Sequence, residues 1–209
     1  DHQGIVAALA EGYMVAAQKL TAKLVPTFRT LLGCDHQAAN GDDCVRKFVE
    51  GFGKRAFRRP LTTSERDKLT AFYASEKTAR GATDAVAAVI ERLLISPQFL
   101  HRYESLTTSP TGSSPGKVNA WGLASRISYL VTGSMPDAQL FAAAESGTLE
   151  KTDEVAKHVT RLLASPDARV TARTFMTEWL ELFRIEGQSR DPKLFPGFSP
   201  EITIAMREQ

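Results

Sequence analysis

The 209-residue chain has no run of 18 apolar residues, which excludes a membrane-crossing helix. The apolar segment from Ile5 to Ala10 is too short for a secretory leader and lacks its basic start and cleavage site. Histidine is scarce. His2, His36, His101 and His158 are the four, and no two stand four apart, so a zinc helix of the HExxH kind is excluded. A glycine-rich phosphate loop is missing, as is the G-x-S-x-G turn that exposes a nucleophilic serine. No nucleophile–base constellation is left for a self-contained hydrolase. Charge of one sign is not in surplus either. Twenty-six basic against 24 acidic residues give +2, less than a dedicated nucleic-acid binder carries. Between Val45 and Lys68 eight Lys/Arg face three Asp/Glu, and such a local excess steers a polyanion only modestly at physiological salt. No nucleic-acid partner is expected.

Enough is present to build a core: 43% of the residues are hydrophobic and 24% charged, the balance of an ordinary globular protein. Helical spacing dominates. Leu9, Tyr13, Ala16, Ala17, Leu20 and Leu24 form one stripe, and Val45, Phe48, Val49, Phe52 and Ala56 a second. The second helix is expected to start at Asp42 or Asp43 and to end at Pro60. Thr62 and Glu65 then have capping-box spacing: the hydroxyl accepts an orphan backbone N–H and the glutamate reaches back to the N-cap amide. AVAAVIERLL predicts a fourth helix, capped by Thr83 or Asp84 and stopped at Ser96-Pro97. Further helices are expected from Trp121 to Val131, after Met135-Pro136-Asp137, and from Asp153 and Ala168 onward. Trp121, Phe175 and Trp179 are read as core anchors. No segment has a convincing strand pattern. The expected fold is all-α, an irregular bundle of about eight or nine helices with room for two subdomains. The Ser/Thr/Pro/Gly-rich run SLTTSPTGSSPG suggests the division: a helical domain over 1–104, a linker or surface loop over 105–118, and a second helical domain over 119–209. Arg92-Leu93-Leu94-Ile95-Ser96-Pro97 is echoed by Arg161-Leu162-Leu163-Ala164-Ser165-Pro166. Shared helix-stop chemistry accounts for the echo as simply as duplication does. Ser199-Pro200-Glu201 opens a helix that is still running at Gln209, so the chain reads as part of a longer polypeptide.

Two clusters remain as candidates. Cys34 and Cys44 flank a loop with an Asn40-Gly41 turn. A disulfide closing it would contribute about 2–3 kcal/mol and place the protein in an oxidising compartment. Two free thiols, or half a metal site beside His36, are the alternatives. The second cluster is basic. Lys54, Arg55, Arg58 and Arg59 are read into the last turn and a half of their helix, where cations complement the helix dipole. As like charges four apart they call for carboxylates elsewhere, such as Glu104, or for an anionic ligand. His101, Arg102 and Glu104 form the densest titratable group. On a helix, His101 and Glu104 would share a face suited to acid–base work or metal ligation, with a helix-terminal salt bridge as the plainer reading.

GKRAFRRPLT, LLISPQFLHRYE, LASRISYLVTGSMPDAQL, AESGTL, RLLASPDAR and FMTEWLEL follow one another in this order. As a set they resemble adjacent families of domains of unknown function in large secreted proteins, notably of planctomycetes and myxobacteria, many of which also carry a c-type cytochrome domain. The resemblance covers roughly residues 40–209. It implies an exported, multidomain protein with extracytoplasmic location, whose partners are the remaining domains or chains of the same protein. The cysteine pair upstream of GKRAFRRPLT also looks like the family's arrangement. Two departures stand out. The Cys-x-x-Cys-His of a c-type haem site is missing, so no cofactor is expected on this chain and any haem would sit in the remainder of the protein. Val131-Thr132-Gly133 stands where the family usually has an aromatic-rich end. The expected role is that of a helical module with structural or partner-binding duty. The alternative is a portion of a secreted oxidoreductase or electron-transfer protein whose cofactor other segments bind.

Overall fold

The computed structural model describes residues 7–102, 117–185, 190–191 and 193–208. They fall into two compact units, Asp1–Gly122 and Leu123–Gln209. Among the described residues every regular element is helical, and nine helices have eight residues or more. No helix there is long and apolar enough to cross a membrane.

Unit 1 contains α1 (Ala7–Leu24), a 3-10 turn (Val25–Thr27), α2 (Phe28–Leu32), α3 (Gly41–Phe57), α4 (Thr63–Arg80), α5 (Ala82–Leu94) and the single turn α6 (Pro97–Leu100). Its core forms where the apolar faces of α3, α4 and α5 meet: Val45, Phe48 and Val49 from α3, Leu69 and Tyr73 from α4, and Val86, Val89, Ile90 and Leu93 from α5. At about 25 cal/mol per Å² each large aliphatic side chain buried here contributes roughly 1.5–3 kcal/mol. α4 and α5 join through Gly81 alone, at φ 88° and ψ 167°, a conformation only glycine adopts without strain. That joint sets the start of α5 at Ala82, so neither Thr83 nor Asp84 is its cap. The Thr62–Glu65 capping box forms as expected, with Glu65 N donating to Thr62 Oγ1 (3.2 Å) and Thr62 N to Glu65 Oε2 (2.8 Å). α3 has Asn40 as its N-cap, two or three residues earlier than expected, with Asp42 and Asp43 in its first turn.

α1 departs from its sequence pattern. Leu9, Tyr13 and Leu20 are exposed, while Ala17 and Thr21 are buried. Small residues face inward because they let α1 lie close against α5, its contact partner.

Unit 2 begins within α7 (Ala120–Thr132) and continues through α8 (Ala138–Glu145), a 3-10 turn (Thr148–Glu150), α9 (Thr152–Leu163), α10 (Pro166–Trp179), a second 3-10 turn (Leu182–Ile185) and α11 (Pro200–Glu208). Ala124, Ile127, Leu140, Leu149 and Leu162 are its buried centre. Asp137 caps α8, accepting from Leu140 N at 2.9 Å, and holds Arg161 of α9 in a two-pronged pair at 2.6 and 3.1 Å. Burial pushes the Asp137 carboxyl up, but the Arg161 guanidinium and the capped amide prevail and hold it below its usual range. The two Ser-Pro echoes use one device. Ser96 accepts from Phe99 N and Ser165 from Ala168 N, each with proline in the first turn that follows. Ser96-Pro97 therefore restarts a helical turn as well as ending α5.

Candidate functional site

The basic stretch does not form one surface patch. α3 stops at Phe57, and Arg58 stands just outside it in the left-handed conformation (φ 57°). Its side chain turns inward: Arg58 is 7% exposed. The guanidinium donates to the carbonyl oxygens of Gln98 (2.6 Å), Phe99 (3.2 and 3.3 Å) and His101 (2.7 Å). These are the carbonyls that the short helix α6 leaves without intrahelical partners. Arg58 thus closes the end of α6 and ties it to the end of α3. The expectation that Arg58 lies within the helix is corrected, since α3 ends at Phe57. Glu104 lies outside the described residues.

Arg59 is half-buried and grips Glu65 with both nitrogens, at 2.8 and 2.7 Å. This fork-on-carboxylate pair, with the Thr62 amide on the same carboxylate, holds the Glu65 carboxyl at about 2. The hydrogen bond from Arg59 is the leading cause, and it raises the guanidinium in turn. Sequence spacing identified Glu65 as a capping residue but missed this second partner six positions upstream. Lys54 lies over the Trp121 ring, 5.1 Å from its centroid. Arg55 is exposed at the end of α3. His101 follows α6 in extended conformation (φ −112°, ψ 150°), so α6 does not carry His101 into a helical pairing with Glu104. His101 and Arg102 are exposed, and what His101 gives to Arg58 is its backbone carbonyl. Of the expected cluster, Arg58 joins the end of α3 to α6 and Arg59 joins it to α4.

Cys34 and Cys44 form a disulfide, with Cα atoms 5.9 Å apart. Beside it His36 is buried, its ring edge-on to Phe28 at 6.0 Å. Among the described residues no three His, Cys, Asp or Glu side chains converge as a metal site. Between α3 and α4 lies an apolar crevice of about 110 Å³ against Val45, Val49 and Tyr73. Burial, and then the Asp42 carboxylate, push the Tyr73 hydroxyl up to about 12, which keeps it neutral.

Unit 2 carries the feature that the sequence concealed. Trp179 is 66% and Phe175 58% exposed, and the two rings stack at 5.8 Å on the outer side of α10. Val170, Leu180 and Phe183 are more than half exposed as well. The reading of Phe175 and Trp179 as core anchors is corrected: of the residues of α10, Ala168 alone is fully buried among those described. Monomeric proteins seldom expose so many large apolar side chains together, and such patches mark interaction sites.

Residues 44–104 match the family model described as PSD5, protein of unknown function (DUF1595), and residues 118–209 match that described as PSD4, protein of unknown function (DUF1592). Two domains of unknown function stand here in tandem. The exposed α10 surface lies in the second, and the arginine joinery and Cys44 in the first. No curated protein and no solved structure matches the chain.

Proposed function

We propose that the chain is a helical, partner-binding module of a larger exported protein, and that unit 2 docks through α10 onto another domain of that same protein. The observation that carries this reading is the solvent-facing stack of Phe175 and Trp179, with Leu180 and Phe183 shortly after it in the chain also exposed. Aromatic side chains with both broad area and rigid geometry are the usual anchors of protein interfaces. The tandem of two family domains supports an occupant within the same polypeptide. The disulfide supports an extracytoplasmic location, because such bonds persist in oxidising compartments. Any haem of the wider protein is proposed to sit on other segments, since this chain lacks the Cys-x-x-Cys-His needed to attach one. A Soret band in the purified natural protein would bring the electron-transfer alternative forward.

The reading is tested with Phe175→Ser/Trp179→Ser placed in the natural polypeptide. The helical signal of this module is expected to persist, while limited proteolysis between it and its neighbouring domains accelerates. Unchanged proteolysis would remove the docking role from α10.

A further inference from the structure

Ten positions separate Cys34 from Cys44, and the loop they close makes contacts out of proportion to its length. Thr83 lies in the first turn of α5, whose N-cap, Gly81, has no side chain to offer. The loop holds that turn instead. His36 Nε2 lies 3.1 Å from Thr83 Oγ1, and Gln37 Nε2 donates to the same oxygen at 2.9 Å. His36 also covers Phe28, which is fully buried in the core of unit 1. The loop is folded tightly enough that a Cβ on Gly41 would stand 2.2 Å from the His36 carbonyl oxygen, so only glycine fits there. Just beyond, Asp42 accepts from Lys77 of α4 at 2.5 Å. The two cysteines differ in cover: Cys44 is 6% exposed, whereas Cys34 is only half-buried.

We propose that the Cys34–Cys44 disulfide is a latch that a dithiol can address: opening it frees residues 34–41 and releases the first turn of α5, while the α3–α5 core stays folded. The thiolate of the dithiol attacks Sγ of Cys34, the less buried cysteine, and Cys44 leaves as a thiolate. The second thiol of the reagent then attacks the mixed disulfide, Cys34 leaves as a thiolate, and the reagent is oxidised by two electrons to its own disulfide. The change stays local because Val49, Val86, Val89, Ile90 and Leu93 pack without using the loop. Local openings of this kind draw on the least protected segments of a fold. Freed from His36, Phe28 loses its cover, so the redox state of the latch decides whether an apolar surface is presented at this end of unit 1.

Hydrogen exchange of the whole chain, oxidised and after treatment with dithiothreitol, tests this. Exchange is expected to quicken by about tenfold or more over residues 28–44 and 81–86, with the rest of α4 and α5 unchanged. Cys34→Ser/Cys44→Ser should reproduce the pattern without reagent. His36→Ala/Gln37→Ala, with the disulfide intact, should quicken 81–86 alone. Three results would each overturn the proposal: a disulfide that dithiothreitol cannot open in the folded chain, unchanged exchange at 81–86, or loss of protection throughout α3–α5.

Discussion

α5 and α10 are helices of 13 and 14 residues, and both carry a regular apolar stripe. In α5 the stripe of Val86, Val89, Ile90 and Leu93 is sealed from solvent, whereas in α10 Phe175 and Trp179 stand outside. Helical periodicity reports that a face is apolar, but not which surface covers it. In unit 1 the cover comes from α3 and α4 of the same unit. In unit 2 no described residue of that unit seals the outer side of α10, and in the proposed docking its cover is another domain.

The largest expected effect lies on the sealed face. Leu93→Ala should destabilise unit 1 by about 3–4 kcal/mol, the usual cost of a cavity in a tight core, seen as a large drop in melting temperature. Next is Arg58→Ala, which strips three carbonyls of their donor and should cost about 2–4 kcal/mol. Arg58→Lys should rescue little, because one ammonium cannot reach all three carbonyls in the fork geometry of a guanidinium. A smaller effect is set by pH. Glu65 titrates near 4.5 when unfolded and about 2 when folded, so its contribution is present above about 4.5 and is lost as pH falls toward 2. That contribution is about 1–2 kcal/mol once solvent screening is allowed for. Glu65→Gln should flatten the acid limb of the stability profile in this window. The smallest effect is predicted on the open face: Trp179→Ala should change the stability of the isolated chain by less than about 1 kcal/mol, because little of the ring leaves water on folding. A loss comparable to that of Leu93→Ala would erase the contrast between the two helices.

Local chemistry was legible in the sequence where neighbours a few residues apart decide the outcome. The Thr62–Glu65 box, the helix stops at Ser96-Pro97 and Ser165-Pro166 and the all-α class depend on such short-range rules, whereas the new helical turn that each Ser-Pro also opens was not read. The disulfide could be weighed from its ten-residue spacing, though not separated from free thiols. Arg58 was illegible for two reasons. A non-glycine residue in the left-handed region is rare, and its partners lie about 40 positions downstream. In α1 the inward turn of Thr21 was hidden, and of the predicted stripe Ala17 is the residue that is buried, because close helix contact can favour small residues over the larger apolar ones beside them. For α10 no signal existed, since a stripe destined for a partner and one destined for the core obey the same spacing.

Site-resolved hydroxyl-radical footprinting of Trp179, read against Trp121, tests the docking claim most directly. The measurement compares this chain alone with the natural polypeptide that contains it. Trp179 is predicted to react readily in the isolated chain and to be strongly protected in the natural polypeptide, with Trp121 alike in both. Equal reactivity of Trp179 in the two would contradict the claim that α10 is covered by another domain of the same protein.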